Sequence, residues 1–201
     1  MARLTLYTAQ DFKDKLDTCK TSLSLAMLDL DNFHDINEDY GREGGDKVLR
    51  KLEAILLSSL PKNARVGRLG GDEYAVMLPE TPAESALIIM EEIRSHFSSR
   101  QLDPSISRKV HMSVGIASKP PHAETSADLL TAAYEALYRA KKEGRKRVAI
   151  YIESKMTLKS NYYSKASLER LSKLSNALNR TEASLLREAL DDLLNKYRDD
   201  L

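Results

Sequence analysis

Two adjacent carboxylates close the stretch R-L-G-G-D-E-Y-A at residues 68–75, where Asp72 and Glu73 follow a glycine pair between apolar runs. Side chains one residue apart are too close to each other to share a proton across a substrate. They suit the grip on a hard cation such as Mg2+, which takes oxygen ligands and usually shares its site with phosphates. Another acid is needed, and Asp29 offers it at the end of an apolar run in M-L-D-L-D-N-F-H-D-I-N (27–37). If that run is a strand beside the glycine turn, Asp29 meets Asp72 at one end of a sheet. Carboxylates from two strands holding two cations form the arrangement of polymerase-type phosphoryl transfer. Gly70 and Gly71 fit such a site, because backbone without a Cβ approaches a phosphate closely. The same residues also make an ordinary Gly-Gly hairpin with exposed acids, and residue types alone leave both readings open.

The elements that would position these acids follow from hydrophobic spacing. L-S-L-A-M-L-D-L (23–30) reads as a strand. Residues 44–60 place Val48, Leu49, Leu52, Ile55 and Leu56 on one helical face. A-R-V-G-R-L (64–69) and E-Y-A-V-M-L (73–78) flank Gly70-Gly71, a pair suited to a two-residue turn that needs positive φ. Thr81-Pro82-Ala83-Glu84 has the form of a helix start, with Thr as N-cap, Pro first and Glu third, and that helix extends to about Ser98. Residues 109–118 alternate as a strand, 126–144 form a helix stopped by Gly144, and 147–152 form a last strand. The order β-α-α-β-β-α-β-α-β implies an α+β fold, a mixed antiparallel sheet flanked by helices. From about residue 155 the pattern changes to one short strand, M-T-L-K-S-N-Y (156–162), and two helices.

With 201 residues, 42% hydrophobic and 30% charged, the chain has room for one sizeable core and a small appendage. No apolar run approaches the roughly 18 residues of a membrane span, and M-A-R-L-T-L-Y-T-A-Q-D-F lacks the apolar centre of a signal peptide. The expected location is the cytoplasm, without a membrane partner. Cys19 is the single cysteine and reads as an inert thiol. A net charge of +1 gives no hint of nucleic acid, but R-A-K-K-E-G-R-K-R (139–147) gathers six basic residues around one acid. That run ends a predicted helix, where the helix dipole favours cations.

R-L-G-G-D-E-Y-A-V-M-L resembles the signature of GGDEF-domain diguanylate cyclases, and further motifs follow the same family in order. D-L-D-N-F-H-D-I-N resembles its D-x-D-x-F-K-x-x-N, and Y-G-R-E-G-G-D-K-V-L its x-G-H-x-x-G-D-x-x-L. S-V-G-I-A-S matches its penultimate strand and A-L-Y-R-A-K-K-E-G-R its A-L-Y-x-A-K-x-x-G-R. The resemblance covers residues 23–150 and implies a palm-like, ferredoxin-like fold. It implies Mg2+ (or Mn2+) on Asp29, Asp72 and the Leu30 carbonyl, with Glu73 close by, and Asp72 or Glu73 helping to deprotonate a ribose 3′-hydroxyl. Backbone N–H groups of Asn32, Phe33 and His34 would cradle phosphates, with Gly70 and Gly71 lining the approach. Asn37 and Asp46 would read guanine, whose N1–H and amino group a carboxylate can accept and adenine lacks. Lys141 and Arg145 would bind the triphosphate.

Some positions depart from the family. Its usual Lys, which stabilises the transferring charge, is His34 here, and a protonated His would substitute. Tyr74 stands for Phe, Arg42 for His, and R-L-T-L-Y-T-A-Q for the entry motif D-x-L-T-G-L-x-N. The product-inhibition motif R-x-x-D is replaced by P-K-N-A at 61–64, so no feedback binding is expected there. Relatives without turnover usually lose the acids. This chain keeps Asp29, Asp72, Glu73, Asn37, Asp46, Lys141 and Arg145, so turnover is expected. One domain holds one GTP, so condensing two into cyclic di-GMP requires a head-to-head dimer.

The tail resembles ribbon-helix-helix proteins. Leu168, Leu171, Leu174 and Leu178 line a first helix, Asn179-Arg180 turns, and Thr181 caps a second helix with Leu185, Leu186, Ala189, Leu190, Leu193 and Leu194. A unit of this size buries too little to stand alone, and the resemblance implies a homodimer. It also implies double-stranded DNA as a partner, with Thr157, Lys159 and Asn161 facing base edges, Met156 and Leu158 turned inward, and a phosphate near Thr181. Nine Lys/Arg against seven Asp/Glu from Ser154 onward leave a net of +2, weak for phosphate-driven affinity. The expected organisation is a cyclase domain over 1–153 and a ribbon-helix-helix dimerisation module over 154–201. The alternative is a DNA-binding regulator whose catalytically weak GGDEF domain senses GTP or a cyclic dinucleotide. A third reading is a cyclase of relaxed base choice.

Overall fold

The computed structural model describes residues 4–99, 102–152, 163–178 and 182–197. The chain divides into two compact units, Met1–Glu153 and Ser154–Leu201. The first contains β1 (Leu6–Tyr7), α1 (Ala9–Asp17), β2 (Leu23–Asp31), α2 (Phe33–Ser59), β3 (Arg65–Gly70), β4 (Glu73–Pro79), α3 (Ala83–Ser99), β5 (His111–Lys119), α4 (Ser126–Lys142) and β6 (Val148–Ile150). The second contains α5 (Lys165–Leu178) and α6 (Glu182–Lys196).

Six strands form one sheet in the order β1-β3-β4-β2-β5-β6. Central β2 is antiparallel to both β4 and β5, while β1 and β6 join the edges in parallel. All nine residues of β2 are buried, as expected for a strand covered on both faces. Strand alternation splits them between two cores. Ala26, Leu28 and Leu30 join Val76 and Leu78 against α2 and α3, through Leu52, Leu56, Met90 and Phe97. Leu23, Leu25 and Met27 join Ala75 and Met77 against α1 and α4, through Phe12, Leu16, Leu129 and Leu137. This parity decides the site, because Asp29 and Asp31 continue the odd series onto the α4 face.

Several expectations need correction. The entry to the domain forms a short strand and a helix, β1 and α1, that hydrophobic spacing does not reveal. Within α1 only Phe12 and Leu16 are buried, and Thr8 caps it by accepting from the Asp11 N–H at 3.2 Å. The two helices expected after β2 are present as α2, helical from Phe33 onward and split at Gly41 by a non-helical backbone (φ 69°, ψ 175°). Thr81 does not cap α3. Its hydroxyl donates to the Pro79 carbonyl at 3.0 Å, and its carbonyl accepts from Ser24 Oγ at 2.6 Å. Thr125 does cap α4, accepting from the Asp128 N–H at 3.1 Å. Gly144 ends α4 at φ 111°, with N–H bonds from Gly144 to the Lys141 carbonyl and from Arg145 to the Ala140 carbonyl.

In the second unit, α5 and α6 pack on one another and α5 buries no residue. Leu168, Leu174, Leu178, Leu190 and Leu193 are all more than 40% exposed, whereas Leu185 is buried. The expected ribbon with Met156, Thr157, Leu158, Lys159 and Asn161, the turn at Asn179-Arg180, Thr181 and the Leu194 side chain lie outside the described residues.

Candidate active site

Asp29 sits on β2 directly opposite Glu73, the first residue of β4, and Asp72 is the next residue back along the chain. Opposed residues on antiparallel strands project from the same face, so sheet register brings Asp29 and Glu73 to the α4 side. Asp29 is 9% exposed. Burial pushes its carboxyl above the ordinary carboxylate range. The Lys141 ammonium, 2.6 Å from Asp29 Oδ1, works against that shift, and the neighbouring Asp72 and Glu73 charges add to it. Tyr134 of α4 lies in the same field; burial first, then Glu73 and Asp29, raise its phenol.

The hairpin tip differs by one residue from the expected turn. Gly70 still pairs, opposite Glu73, after a bulge, so Gly71 and Asp72 make the two-residue turn. Only Gly71 needs the left-handed backbone (φ 46°), and nothing lies within 4 Å of where its Cβ would be. Arg68 pins this turn, donating from Nε and Nη2 to the Gly71 carbonyl at 3.0 and 2.7 Å. Asp72 therefore projects from a turn braced by a guanidinium, not from a free loop tip. The family's Phe is replaced without an orphaned hydroxyl: buried Tyr74 donates to Glu53 Oε1 of α2 at 2.7 Å.

The first turns of α2 carry the remaining candidates. Asn32 stands at the N-cap with a left-handed backbone and no side-chain cap bond. Phe33 is half-buried, and Leu30 is buried in the core at the end of β2. His34 projects away: its side chain is 82% exposed and its Nε2 pairs with Glu38 at 3.1 Å. Across the Gly41 kink Asn37 meets Gly45, the residue before Asp46. A Cβ on Gly45 would lie 2.1 Å from Asn37 Oδ1 and 3.0 Å from Phe33 Cζ, so only glycine lets the two helical segments close there. Asp46, next to Gly45, is exposed.

Past the end of α4, Arg145 (φ 63°) and Lys146 (φ 55°) are consecutive non-glycine residues in the left-handed region. With Asn32, Lys109, His111 and Asp31 they line a polar cleft of about 340 Å3. Asp31 is 8% exposed; its Oδ1 accepts from Ser113 Oγ at 2.7 Å and its Oδ2 from the Lys146 N–H at 3.0 Å. Sequence reasoning passed over Asp31 and Gly45. The signal for Asp31 was its parity with Asp29, two residues away on one strand face.

Among the described residues no three acidic, imidazole or thiolate side chains converge closely enough to form a ready-made metal cage. The donor set nevertheless fits a hard divalent cation. Three carboxylates share one field, Asp72 and Glu73 both raise the Asp29 carboxyl, and a cation between them relieves that repulsion.

Residues 2–147 match the family model described as "Diguanylate cyclase, GGDEF domain". The chain belongs to this family. Similar proteins include a probable diguanylate cyclase, DgcC, of Escherichia coli, 33% identical over 69% of this chain and 38% of that protein. Diguanylate cyclase A of Treponema denticola is 33% identical over 72% of this chain and likewise 38% of its own length. The chain thus spans about two fifths of the length of these relatives. Among solved structures, the active GGEEF domain of a Vibrio cholerae diguanylate cyclase superposes with a TM-score of 0.70 at 28% identity, over 75% of this chain and 100% of that one. The GGDEF domain of Caulobacter crescentus DgcB, solved in complex with c-di-GMP, gives 0.68 at 29% identity, over 75% and 94%. The GGDEF palm-like sheet flanked by helices is therefore the fold of the first unit. Among the described residues no helix is long and apolar enough to cross a membrane.

Proposed function

We propose that this chain is a diguanylate cyclase that condenses two GTP molecules into cyclic di-GMP. The observation that carries the reading is the register of β2 against β4, which sets Asp29 opposite Glu73 beside the braced turn at Asp72. Asp29, Asp72, Glu73 and the Leu30 carbonyl would hold Mg2+ or Mn2+. Such an ion, when bound, neutralises phosphate charge and favours an ionised attacking oxygen. Asp72 or Glu73 accepts the proton of the ribose 3′-hydroxyl. Asn37 and Asp46 hold the guanine edge at the kink in α2. Backbone N–H groups of Asn32, Phe33 and His34, beside Gly70 and Gly71, cradle phosphates, and Lys141 and Arg145 neutralise the triphosphate. His34, exposed and paired with Glu38, must leave that partner to act on the transferring charge.

Each domain holds one GTP, so two chains must face each other. The second unit supplies the means. Two amphipathic helices with leucines left exposed on both are what a ribbon-helix-helix module requires before a second copy covers them. The reading that this module also contacts duplex DNA through Thr157, Lys159 and Asn161 rests on sequence resemblance.

Incubating the purified chain with GTP and Mg2+ should yield cyclic di-GMP by mass spectrometry, and Asp72→Ala should abolish it. GTP turnover absent at every protein concentration would favour the sensor reading. Duplex DNA binding that weakens with salt and is lost in Lys159→Ala supports the DNA-contacting role; no binding at low salt removes it.

A further inference from the structure

Three non-glycine residues with left-handed backbone, Asn32, Arg145 and Lys146, ring a single cleft. Each such residue costs on the order of 1 kcal/mol or more, and the conformation persists only where the surroundings hold it. At Arg145 and Lys146 the holding group is visible. Asp31 reaches from the last position of β2 to accept the Lys146 N–H at 3.0 Å, and its second oxygen is fixed by Ser113 Oγ at 2.7 Å. Ser113 lies on β5, in register with Asp29, so the carboxylate is clamped from the sheet on one side and grips the loop on the other. The Arg145 N–H is tied back to the Ala140 carbonyl at 3.0 Å. The guanidinium of Arg145 has no hydrogen bond or ion pair among the described residues, and Arg145 lines the cleft together with Lys109 and His111.

We propose that Asp31 is a positioning residue for the polyphosphate tail of the bound nucleotide. It does not ligate the cation held by its neighbour Asp29. It fixes the left-handed backbone at Lys146, which aims Arg145, and Lys146 itself, into the cleft. This inference rests on the guanine-nucleotide reading of the site.

The experiment measures binding of GTP and of guanosine to the full chain, by calorimetry and by NMR titration, in wild type and variants. Asp31→Ala should weaken GTP by about tenfold, the scale of one charge-assisted hydrogen bond, and leave guanosine unchanged. In an Arg145→Ala background the same substitution should cost far less, because its effect passes through Arg145. Asp31→Asn should restore most of the loss, since its amide oxygen still accepts from Lys146 N–H while its NH2 donates to Ser113 Oγ. Ser113→Ala, which leaves the acid in place, should show a smaller loss confined to GTP and keeps the test open if Asp31→Ala does not fold. Unchanged GTP affinity in both the Asp31 and Ser113 variants, additive losses with Arg145→Ala, or equal losses for guanosine and GTP would each overturn the proposal. Wild type that binds guanosine but shows no gain for GTP also overturns it. Wild type that binds neither ligand instead sinks the nucleotide reading beneath it.

Discussion

Single side chains in this domain carry electrostatic consequences that their types alone do not announce. Tyr74 is a family Phe with one added oxygen, tolerable because Glu53 accepts its proton 2.7 Å away and Arg68 balances Glu53 at 3.6 Å. His111 shows the opposite case, an imidazole with its Nδ1 buried and unpaired among the described residues. Burial, then the charge of Lys146, hold its pKa below the ordinary histidine value; Asp31 opposes this, while Arg94 and Lys109 add to it. The unfolded chain therefore takes up a proton at a higher pH than the folded one. The stability that neutral His111 contributes is complete above the unfolded value and is lost as pH falls through the lowered folded value. The urea midpoint of the wild type should thus fall more steeply between pH 7 and pH 5 than that of His111→Asn. Parallel slopes would show that this imidazole does not sense folding.

Elements matter through their contacts at the site. The kink at Gly41 and the bare backbone of Gly45 let Asn37 pack against the second helical segment of α2, one residue before Asp46. A methyl group at Gly45 would fall 2.1 Å from Asn37 Oδ1, inside any real contact distance, so Asn37 must turn away or the helix must open. On the proposed reading, Gly45→Ala should raise the KM for GTP roughly tenfold or more, the cost of losing a well-made hydrogen bond, and should weaken a preference for GTP over ATP. Steady-state kinetics with both nucleotides reads the two effects together. An unchanged KM with unchanged selectivity would mean that the guanine base sits elsewhere. At the other end of the site, the cap that closes α4 presents Arg145 directly after Gly144, so on the proposed reading the helix terminus also sets the phosphate contact.

At the scale of the whole molecule, activity on this reading is a property of two chains. A palm domain that holds one nucleotide completes no reaction alone, and the small second unit leaves Leu174 about 48% and Leu190 about 54% exposed. Burying side chains of this kind in a partner is worth about 1.5–3 kcal/mol each. Replacing both by lysine should shift the chain from dimer to monomer in sedimentation experiments. Cyclase activity per chain should then drop and become steeply dependent on protein concentration. A double variant that stays dimeric would place the dimer interface elsewhere.

Local chemistry made much of this protein legible from its residues. The β2 run, the hairpin flanking the glycines, a strand expected over 109–118 and found at His111–Lys119, and α4 with its Gly144 stop all follow from spacing and turn residues. Asp29, Asp72 and Glu73 stood out because two adjacent acids and a third at a strand end suit a hard cation that shares its site with phosphates. What spacing does not carry is register and close approach. Only the pairing of β2 with β4 decides that Asp29 faces Glu73, and only the antiparallel bulge moves the turn from Gly70-Gly71 to Gly71-Asp72. The clamp of Asp31 between Ser113 and Lys146 joins residues 82 and 115 positions apart. No local pattern encodes such a contact, because it exists only once the sheet has brought three distant segments to one end.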